Sequence, residues 1–266
     1  MNATAVRSIL AELNASTSIV DAASTCVDAF AKSAWPGVAW RWSNLTTDGC
    51  PLEFSFSTRD EDVRFACEVG PPEMPTVERI AAAVDLAARL GAPAVPSERL
   101  SEWQAAQSFG HLRWGAWLGV RAAGDQTRVK IYVETPAEAR DSSVATANRP
   151  ILDSGRLKMI GYDCSTRACE LYYRQPQMNA AELHAFTQFV DAAPQRRSML
   201  EAFARLCALP KHIALQWVNF GYSLVDAGGF ALFVRDRSIG SRGRIRACFL
   251  ESQAAFGNAS SAYAAA

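Results

Sequence analysis

Three similar segments recur along the chain, and this repetition constrains the fold more than any other feature of the sequence. Each segment has an apolar residue followed by glycine, then a short turn, then a run in which polar and apolar residues tend to alternate; the segments begin at Leu118, Ile160 and Phe220. Alternation with a period of two is typical of a strand with one buried face, so each segment predicts a β-hairpin. Repetition of one hairpin predicts a toroidal or solenoid assembly, although hairpins of an unrelated α+β protein would look similar.

Amphipathic segments before and between the hairpins predict helices, so the expected fold class is α+β. One domain is expected over residues 1–266, with N-terminal helices in 1–38, repeats in 39–257 and a frayed tail at 258–266. The predicted strand pairs are 51–57 with 63–69, 117–123 with 128–135, 156–163 with 168–174, and 213–225 with 230–235. The predicted helices cover 4–13, 19–32, 77–90, 180–191, 195–207 and 242–255.

The charge balance and hydropathy exclude several classes of function. The chain carries 27 basic and 27 acidic side chains, which argues against a protein that mainly holds nucleic acid or an anionic membrane surface. The sequence contains no run of 18 apolar residues, the length that would predict a membrane span. The N-terminal segment contains Glu12 and Asp21 and is amphipathic, so it does not resemble a signal peptide, and a cytoplasmic location is expected.

The cysteines and acidic residues predict neither a disulfide framework nor a metal site. The seven cysteines are odd in number and form no CxxC pair, which favours reduced cysteines buried in the core. No Asp-rich cluster of the DDxxD type is present, and the three histidines are scattered. We therefore predict no metal ligand.

The second strand of the hairpin that begins at Leu118 has two chemically different faces. Arg128, Lys130, Tyr132 and Glu134 share one face, whereas the β-branched residues of 129–133 share the other. The apolar face is suited to packing against helices, so the polar face is expected to line an interior that holds a ligand. Lysine and arginine can bind a diphosphate, and aromatic faces can shelter a carbocation. A solvated polar face is the alternative interpretation.

Residues 42–72 carry a motif that narrows these possibilities. The stretch resembles the first repeat of the dimethylallyltryptophan synthase group of aromatic prenyltransferases, and the Lys130-Ile-Tyr132 strand, which leads to Pro136, resembles the Lys-x-Tyr motif of its second repeat. As a repeat pattern the resemblance covers 42–235, and it is sharp in the first two repeats. The matching residues of the first motif are Thr47, Asp48, Gly49, Pro51, Glu53, Ser55, Val63, Arg64 and Glu68.

The resemblance implies an antiparallel ten-stranded β-barrel built from five αββα repeats, the ABBA or PT barrel, with helices outside and a polar-aromatic lumen. Four hairpins can be identified in this sequence, and a fifth pair cannot be placed. The implied activity, of a kind found in secondary metabolism, is transfer of a prenyl group, dimethylallyl above all, from an allylic diphosphate to an indole ring, with release of diphosphate. The acceptor would be tryptophan, an indole derivative or a Trp-containing peptide. No cofactor is expected, Mg²⁺ being at most stimulatory, and the protein is expected to be a monomer or homodimer.

The resemblance also implies roles for individual residues. Glu53 would accept a hydrogen bond from the indole N–H and assist loss of the ring proton. Arg64 and Lys130 would bind the diphosphate, although Arg64 could instead pair with Glu68. The other expected diphosphate ligands are Lys158, Arg174 and Arg235. The residues expected to shield the cation or contact substrate are Tyr132, Tyr172, Trp217 and Tyr222.

Later repeats depart from this pattern, which leaves alternatives open. Glu170 stands where a lysine would be expected, and the fourth repeat has Ala231 and Phe233, so the predicted cation cluster is thinner. A prenyltransferase for a phenolic acceptor is one alternative, but Glu53 favours indole because a phenol has no N–H to bind. The other is a barrel that binds a small molecule without catalysis.

Overall fold

The computed structural model describes residues 3–31, 41–46, 49–55, 63–123, 126–141, 155–175, 180–189, 220–225 and 230–234. The helices are α1 (Ala3–Glu12), α2 (Thr17–Phe30), α3 (Arg79–Arg89), α4 (Ser97–Gln107) and α5 (Ala180–Phe189), with short 3₁₀ helices at Thr76–Glu78 and Ala137–Asp141. The strands are β1 (Leu52–Ser55), β2 (Arg64–Glu68), β3 (Ala116–Ala123), β4 (Gln126–Glu134), β5 (Arg156–Asp163), β6 (Cys169–Gln175), β7 (Phe220–Val225) and β8 (Phe230–Val234).

The eight strands form one antiparallel sheet, in which each strand is paired with the strands before and after it in the chain. This arrangement confirms the α+β class and the predicted hairpins, and helices α1 to α3 lie within two residues of their predicted ends. Helix α4 was not predicted. No ladder joins β8 to β1 among the described strands, so closure of the barrel stays a prediction. The predicted helices at 195–207 and 242–255, the strand residues 213–219 and the tail lie outside the described residues.

The described residues belong to two compact units. The first contains α1 to α4, β1 to β4 and residues 159–169, and the second contains 155–158 and the described residues from Glu170 onward. No helix in the described part of the chain is long and apolar enough to cross a lipid bilayer.

In the first unit, strand register separates a polar face from an apolar face. Partners across a ladder lie on the same side of a sheet, so each row of partners runs across the strands on one face. The apolar face includes Val129, Ile131 and Val133, none more than 1% exposed, and α2 and α3 pack against these strands. Burial of each such side chain stabilises the fold by about 1.5–3 kcal/mol. We name as the polar face Glu53, Ser55, Arg64, Ala66, Glu68, Trp117, Gly119, Arg121, Arg128, Lys130, Tyr132, Glu134, Met159, Gly161 and Asp163.

Two cysteines meet where α2 packs on β2. Cys26 and Cys67 are fully buried, and interaction with the Cys26 thiol together with burial raises the pKa of Cys67 well above its ordinary value. All five cysteines in the described segments are free thiols, four of them buried. Core burial is therefore confirmed for Cys26, Cys67, Cys164 and Cys169, whereas Cys50 is half-buried; Cys207 and Cys248 lie outside the described residues.

The second unit corrects one predicted site residue. Tyr222 pairs with Tyr173 across β6 and β7, and their rings stack with centroids 4.8 Å apart. Tyr222 has no exposed surface, and its ring also contacts Phe186 of α5 at 5.1 Å. By register it lies on the face opposite to Tyr172 and Arg174. The prediction that Tyr222 contacts substrate is therefore wrong, because its ring belongs to the core beneath the helix.

The carboxylate of Glu68 is a buried junction between separate segments of the first unit. It is 1% exposed and accepts hydrogen bonds from the Ser43 hydroxyl, the Arg79 guanidinium and the Trp117 indole N–H, the last at 3.1 Å. Arg79 also donates to the carbonyl of Pro71 at 2.9 Å and lies 5.6 Å from the centre of the Trp42 ring. Burial raises the pKa of Glu68, and these donors oppose that rise.

Breaking this ion pair is expected to destabilise the protein strongly. Glu68→Gln leaves the Arg79 guanidinium buried without its counterion, and removal of one partner from a buried pair costs about 3–5 kcal/mol. Urea unfolding at pH 7 measures the free energy of unfolding. Glu102→Gln is the matched control, because Glu102 pairs with Arg99 on the surface of α4 at 2.8 Å and should cost less than about 1 kcal/mol. Equal losses in the two variants would contradict the role of Glu68.

Candidate active site

Three rows of side chains cross the polar face. The central row runs from Glu53 on β1 through Ala66 and Gly119 to Lys130 on β4, and then to Asp163 on β5. Neighbouring strands are about 4.8 Å apart, so the backbones at Glu53 and Lys130 are separated by about 14 Å. Only small residues occupy the row between them. This row therefore has a carboxylate at one end, an ammonium group towards the other, and only small residues between them.

The first flanking row brings cations together. Arg64 pairs with Arg121 across β2 and β3, and Arg121 pairs with Arg128 across β3 and β4. Arg64 and Arg121 are half-buried, whereas Arg128 is exposed. Burial lowers the pKa of Arg64, the charge of Arg121 lowers it further, and Tyr132 acts in the opposite direction. Partly desolvated cations close to one another form a favourable site for an anion.

Arg121 was not among the predicted site residues. It lies two residues after Gly119 on β3, so alternation along the strand would have placed it on the polar face. Its guanidinium is 3.5 Å from a carboxylate oxygen of Asp163, whose other oxygen accepts hydrogen bonds from the amides of Ser165 and Thr166. Asp163 thus holds Arg121 beside the other cations and partly balances their charge.

The second flanking row contributes aromatic surface. Trp117 pairs with Tyr132 across β3 and β4, and Trp117 stacks on Trp114 with ring centres 3.7 Å apart. The ammonium group of Lys130 lies 6.0 Å from the centre of the Tyr132 ring, at the outer limit of a cation–π contact. The predicted pair Lys130 and Tyr132 therefore lies beside Arg64 on one face.

Glu53 is accessible to a ligand, and the pKa of its carboxyl group is raised. Its side chain is exposed on β1, yet the surrounding protein removes enough water to raise the pKa of the carboxyl group. The ordinary value is 4.5, so the raised group ionises closer to neutral pH while remaining reachable by a ligand. A carboxylate in this state can accept an N–H hydrogen bond and a proton.

Three further predicted site residues belong to the second unit. Tyr172 and Arg174 lie in the second unit, on the face of β6 opposite to Tyr173, and both are half-buried. Lys158 is half-buried on β5, just before the residues paired with β4. Their roles stay predictions, and Trp217 and Arg235 lie outside the described residues. Glu68, the alternative partner for Arg64, is bound by Arg79.

In the described segments, no three His, Cys, Asp or Glu side chains come together as a group that could hold a metal ion. Metal independence was inferred from the resemblance and stays a prediction.

No protein-family model and no curated sequence matches the chain. Solved structures do match over nearly its whole length. A 6-dimethylallyl tryptophan synthase is 14% identical with a TM-score of 0.71, over 96% of this chain and 82% of its own. The prenyltransferase PriB, in its apo form, is 17% identical with a TM-score of 0.73, over 97% and 82%. The chain has the fold of these prenyltransferases.

A third match carries ligands. The 5-dimethylallyl tryptophan synthase from Streptomyces coelicolor, solved in complex with DMASPP and Trp, is 15% identical with a TM-score of 0.70, over 97% of this chain and 81% of its own. At such identities the likeness establishes the fold, and it confirms the resemblance noted in the sequence at that level.

The arginine row makes a specific prediction about anion binding. Arg121→Gln should lower the affinity for inorganic pyrophosphate about tenfold or more, because hydrogen bonds to charged groups contribute about 1.5–3 kcal/mol. Isothermal titration calorimetry at fixed salt measures the dissociation constant. Arg128→Gln removes the same charge from the adjacent, exposed position and should change the affinity less than about fivefold. If both variants weaken binding equally, the effect is one of net charge and the proposed position of Arg121 is wrong.

Proposed function

We propose that the protein is an aromatic prenyltransferase that moves a dimethylallyl group from its diphosphate to the ring of tryptophan or a related indole. The observation that carries this proposal is the central row, where Glu53 and Lys130 lie on the same face of the sheet with the small residues Ala66 and Gly119 between them. A carboxylate suits an indole N–H, and cations suit a diphosphate. Their backbones are about 14 Å apart, a separation that suits an indole near Glu53 and a diphosphate near Lys130.

The cations of the polar face would drive ionisation. The bond between the allylic carbon and the diphosphate oxygen breaks, and the electron pair leaves with pyrophosphate. Arg64, Arg121 and Lys130 would stabilise the negative charge that develops on this leaving group, in a partly desolvated setting where such interactions are strong. Tyr132 lies next to Lys130, where its ring face can stabilise the allyl cation and keep water away from it.

Glu53 would act on the acceptor. Its carboxylate accepts a hydrogen bond from the indole N–H, which orients the ring and makes it more electron-rich. A ring carbon then forms the new bond to the allyl cation. The ring proton at that carbon is lost to a base, restoring aromaticity, and the raised pKa of Glu53 suits it to take part in this step.

The proposal extends to features expected from the sequence. It includes a closed barrel of αββα repeats, supported by TM-scores of 0.71 and 0.73 with solved prenyltransferases. It also includes Lys158, Arg174 and Arg235 as further diphosphate ligands and Tyr172 and Trp217 as further shielding residues. Transfer is proposed to need no metal.

The activity can be tested directly with purified protein. Dimethylallyl, geranyl and farnesyl diphosphates are each incubated with tryptophan, a Trp-containing peptide and a phenol, with EDTA or with Mg²⁺, and products are identified by mass. We expect a dimethylallyl adduct of the indole in EDTA. A phenol adduct alone would favour the phenolic alternative, and saturable diphosphate binding without any product would favour a binding protein.

The role of Glu53 predicts a change in pH dependence. As pH falls through its raised pKa, Glu53 becomes protonated and can no longer accept the indole N–H or the ring proton, so kcat/KM of the wild type should fall on the acid side. Glu53→Gln should lower kcat on tryptophan about a hundredfold and remove that acid limb, with pyrophosphate affinity unchanged. Glu102→Gln serves as the control. Wild-type turnover or an intact acid limb in Glu53→Gln would exclude Glu53 from this role.

A further inference from the structure

Gly119 lies at the centre of the polar face, between Ala66 and Lys130 in the central row. The backbone conformation does not require glycine there. In the described part of the chain the glycines with positive φ are Gly49, Gly91 and Gly115, and Gly119 is not among them. An alanine could adopt the same strand conformation, so the reason for glycine has to be sought in the surrounding space.

The Tyr132 ring occupies that space. A Cβ atom on Gly119 would lie 2.7 Å from Cε2, 3.4 Å from Cζ and 3.2 Å from the hydroxyl oxygen of Tyr132. Non-bonded carbon atoms prefer about 3.5–4.0 Å, so the ring cannot remain in this position if a methyl group is added. The missing side chain of Gly119 is therefore what allows the ring to lie against the backbone of β3.

In this position the Tyr132 ring lies near two cations, Arg64 and Lys130. Tyr132 starts on β4, passes over β3 at Gly119 and acts electrostatically on Arg64 of β2. The Lys130 ammonium group lies 6.0 Å from its ring centre. The ring thus forms the base of the space between Glu53 and Lys130, where the allyl cation would form.

We propose that Gly119 is a positioning residue that lets the Tyr132 ring lie close against β3, so that the ring shields the allyl cation from water. This inference rests on the proposed function and adds to it a residue that does not itself touch substrate. A displaced ring would admit water, and water capture converts the cation to the prenyl alcohol with release of one proton.

Alanine at Gly119 should move the ring and leave the fold intact. Tyr132 is half-buried and can rotate about two side-chain torsions, so the clash is relieved by the side chain without a shift of the backbone. The variant therefore tests ring position, and circular dichroism and urea unfolding verify that it folds.

The experiment is a double-mutant cycle on product partition. Wild type, Gly119→Ala, Tyr132→Leu and the double variant are incubated with dimethylallyl diphosphate and tryptophan, and the ratio of prenyl alcohol to prenylated tryptophan is measured. Gly119→Ala should raise this ratio about threefold or more, and the double variant should match Tyr132→Leu, because coupled residues are not additive. An unchanged ratio in Gly119→Ala, or additive effects in the double variant, would overturn the inference while wild-type transfer leaves the proposed function standing.

Gly70→Ala is the matched control, because its added methyl group would meet the flexible end of the Met74 side chain, at Sδ and Cε, rather than Tyr132. This control should keep the wild-type ratio. If the wild type forms no prenylated product, the proposed function fails, and the same cycle is measured on pyrophosphate affinity. In that case weaker binding in Gly119→Ala that disappears in the Tyr132→Leu background supports the positioning role, and any other result refutes it.

Discussion

The buried carboxylate of Glu68 fixes the framework that carries the polar face. Its three donors come from residues 43, 79 and 117, so one charged group joins the loop before β1, the start of α3 and the start of β3 to the end of β2. Burying this charge is unfavourable, and the fold tolerates it because the oxygens are occupied by a guanidinium, a hydroxyl and an indole N–H. Because each buried hydrogen bond of this network requires its partner in place, the network fixes the positions of the segments that it joins. Trp117, and with it the aromatic row, is held in place by Glu68 from the neighbouring strand on the same face.

Whereas Glu68 is surrounded by donors that stabilise its charge, the arginines of the polar face lie next to other positive charges. Arg64 and Arg121 are directly opposite each other across two strands, an arrangement that destabilises a sheet when both residues carry the same charge. Asp163 offsets part of this repulsion from the far side of Arg121. An anion bound between the two guanidinium groups would reduce this repulsion further. A like-charge pair of this kind lowers local stability, and such departures are expected at functional sites.

The sequence predicted the polar face well because one physical rule governs it. Val129, Ile131 and Val133 must be buried, and alternation then places Lys130 and Tyr132 on the other side. The same rule, applied to β3, would have identified Arg121. Tyr222 was misplaced because it was assigned by residue type; its pairing with Tyr173 depends on strand register, which the pattern does not reveal. Helix α4 was missed because its sequence, SERLSEWQAAQ, has little apolar periodicity.

The strand register shows which residue lies opposite the glycine of each repeat. Gly119, Gly161 and Gly221 follow the apolar residue that begins each segment, and each lies opposite a large residue on the neighbouring strand: Lys130, Tyr132 and Arg174 respectively. In the first unit Gly119 and Gly161 share the polar face, and in the second unit Gly221 shares a face with Arg174. Turns require glycine for conformation, but strand interiors lose stability from it. At Gly119 this loss of stability makes room for the Tyr132 side chain of the neighbouring strand, whose ring occupies the place that a Cβ atom would take.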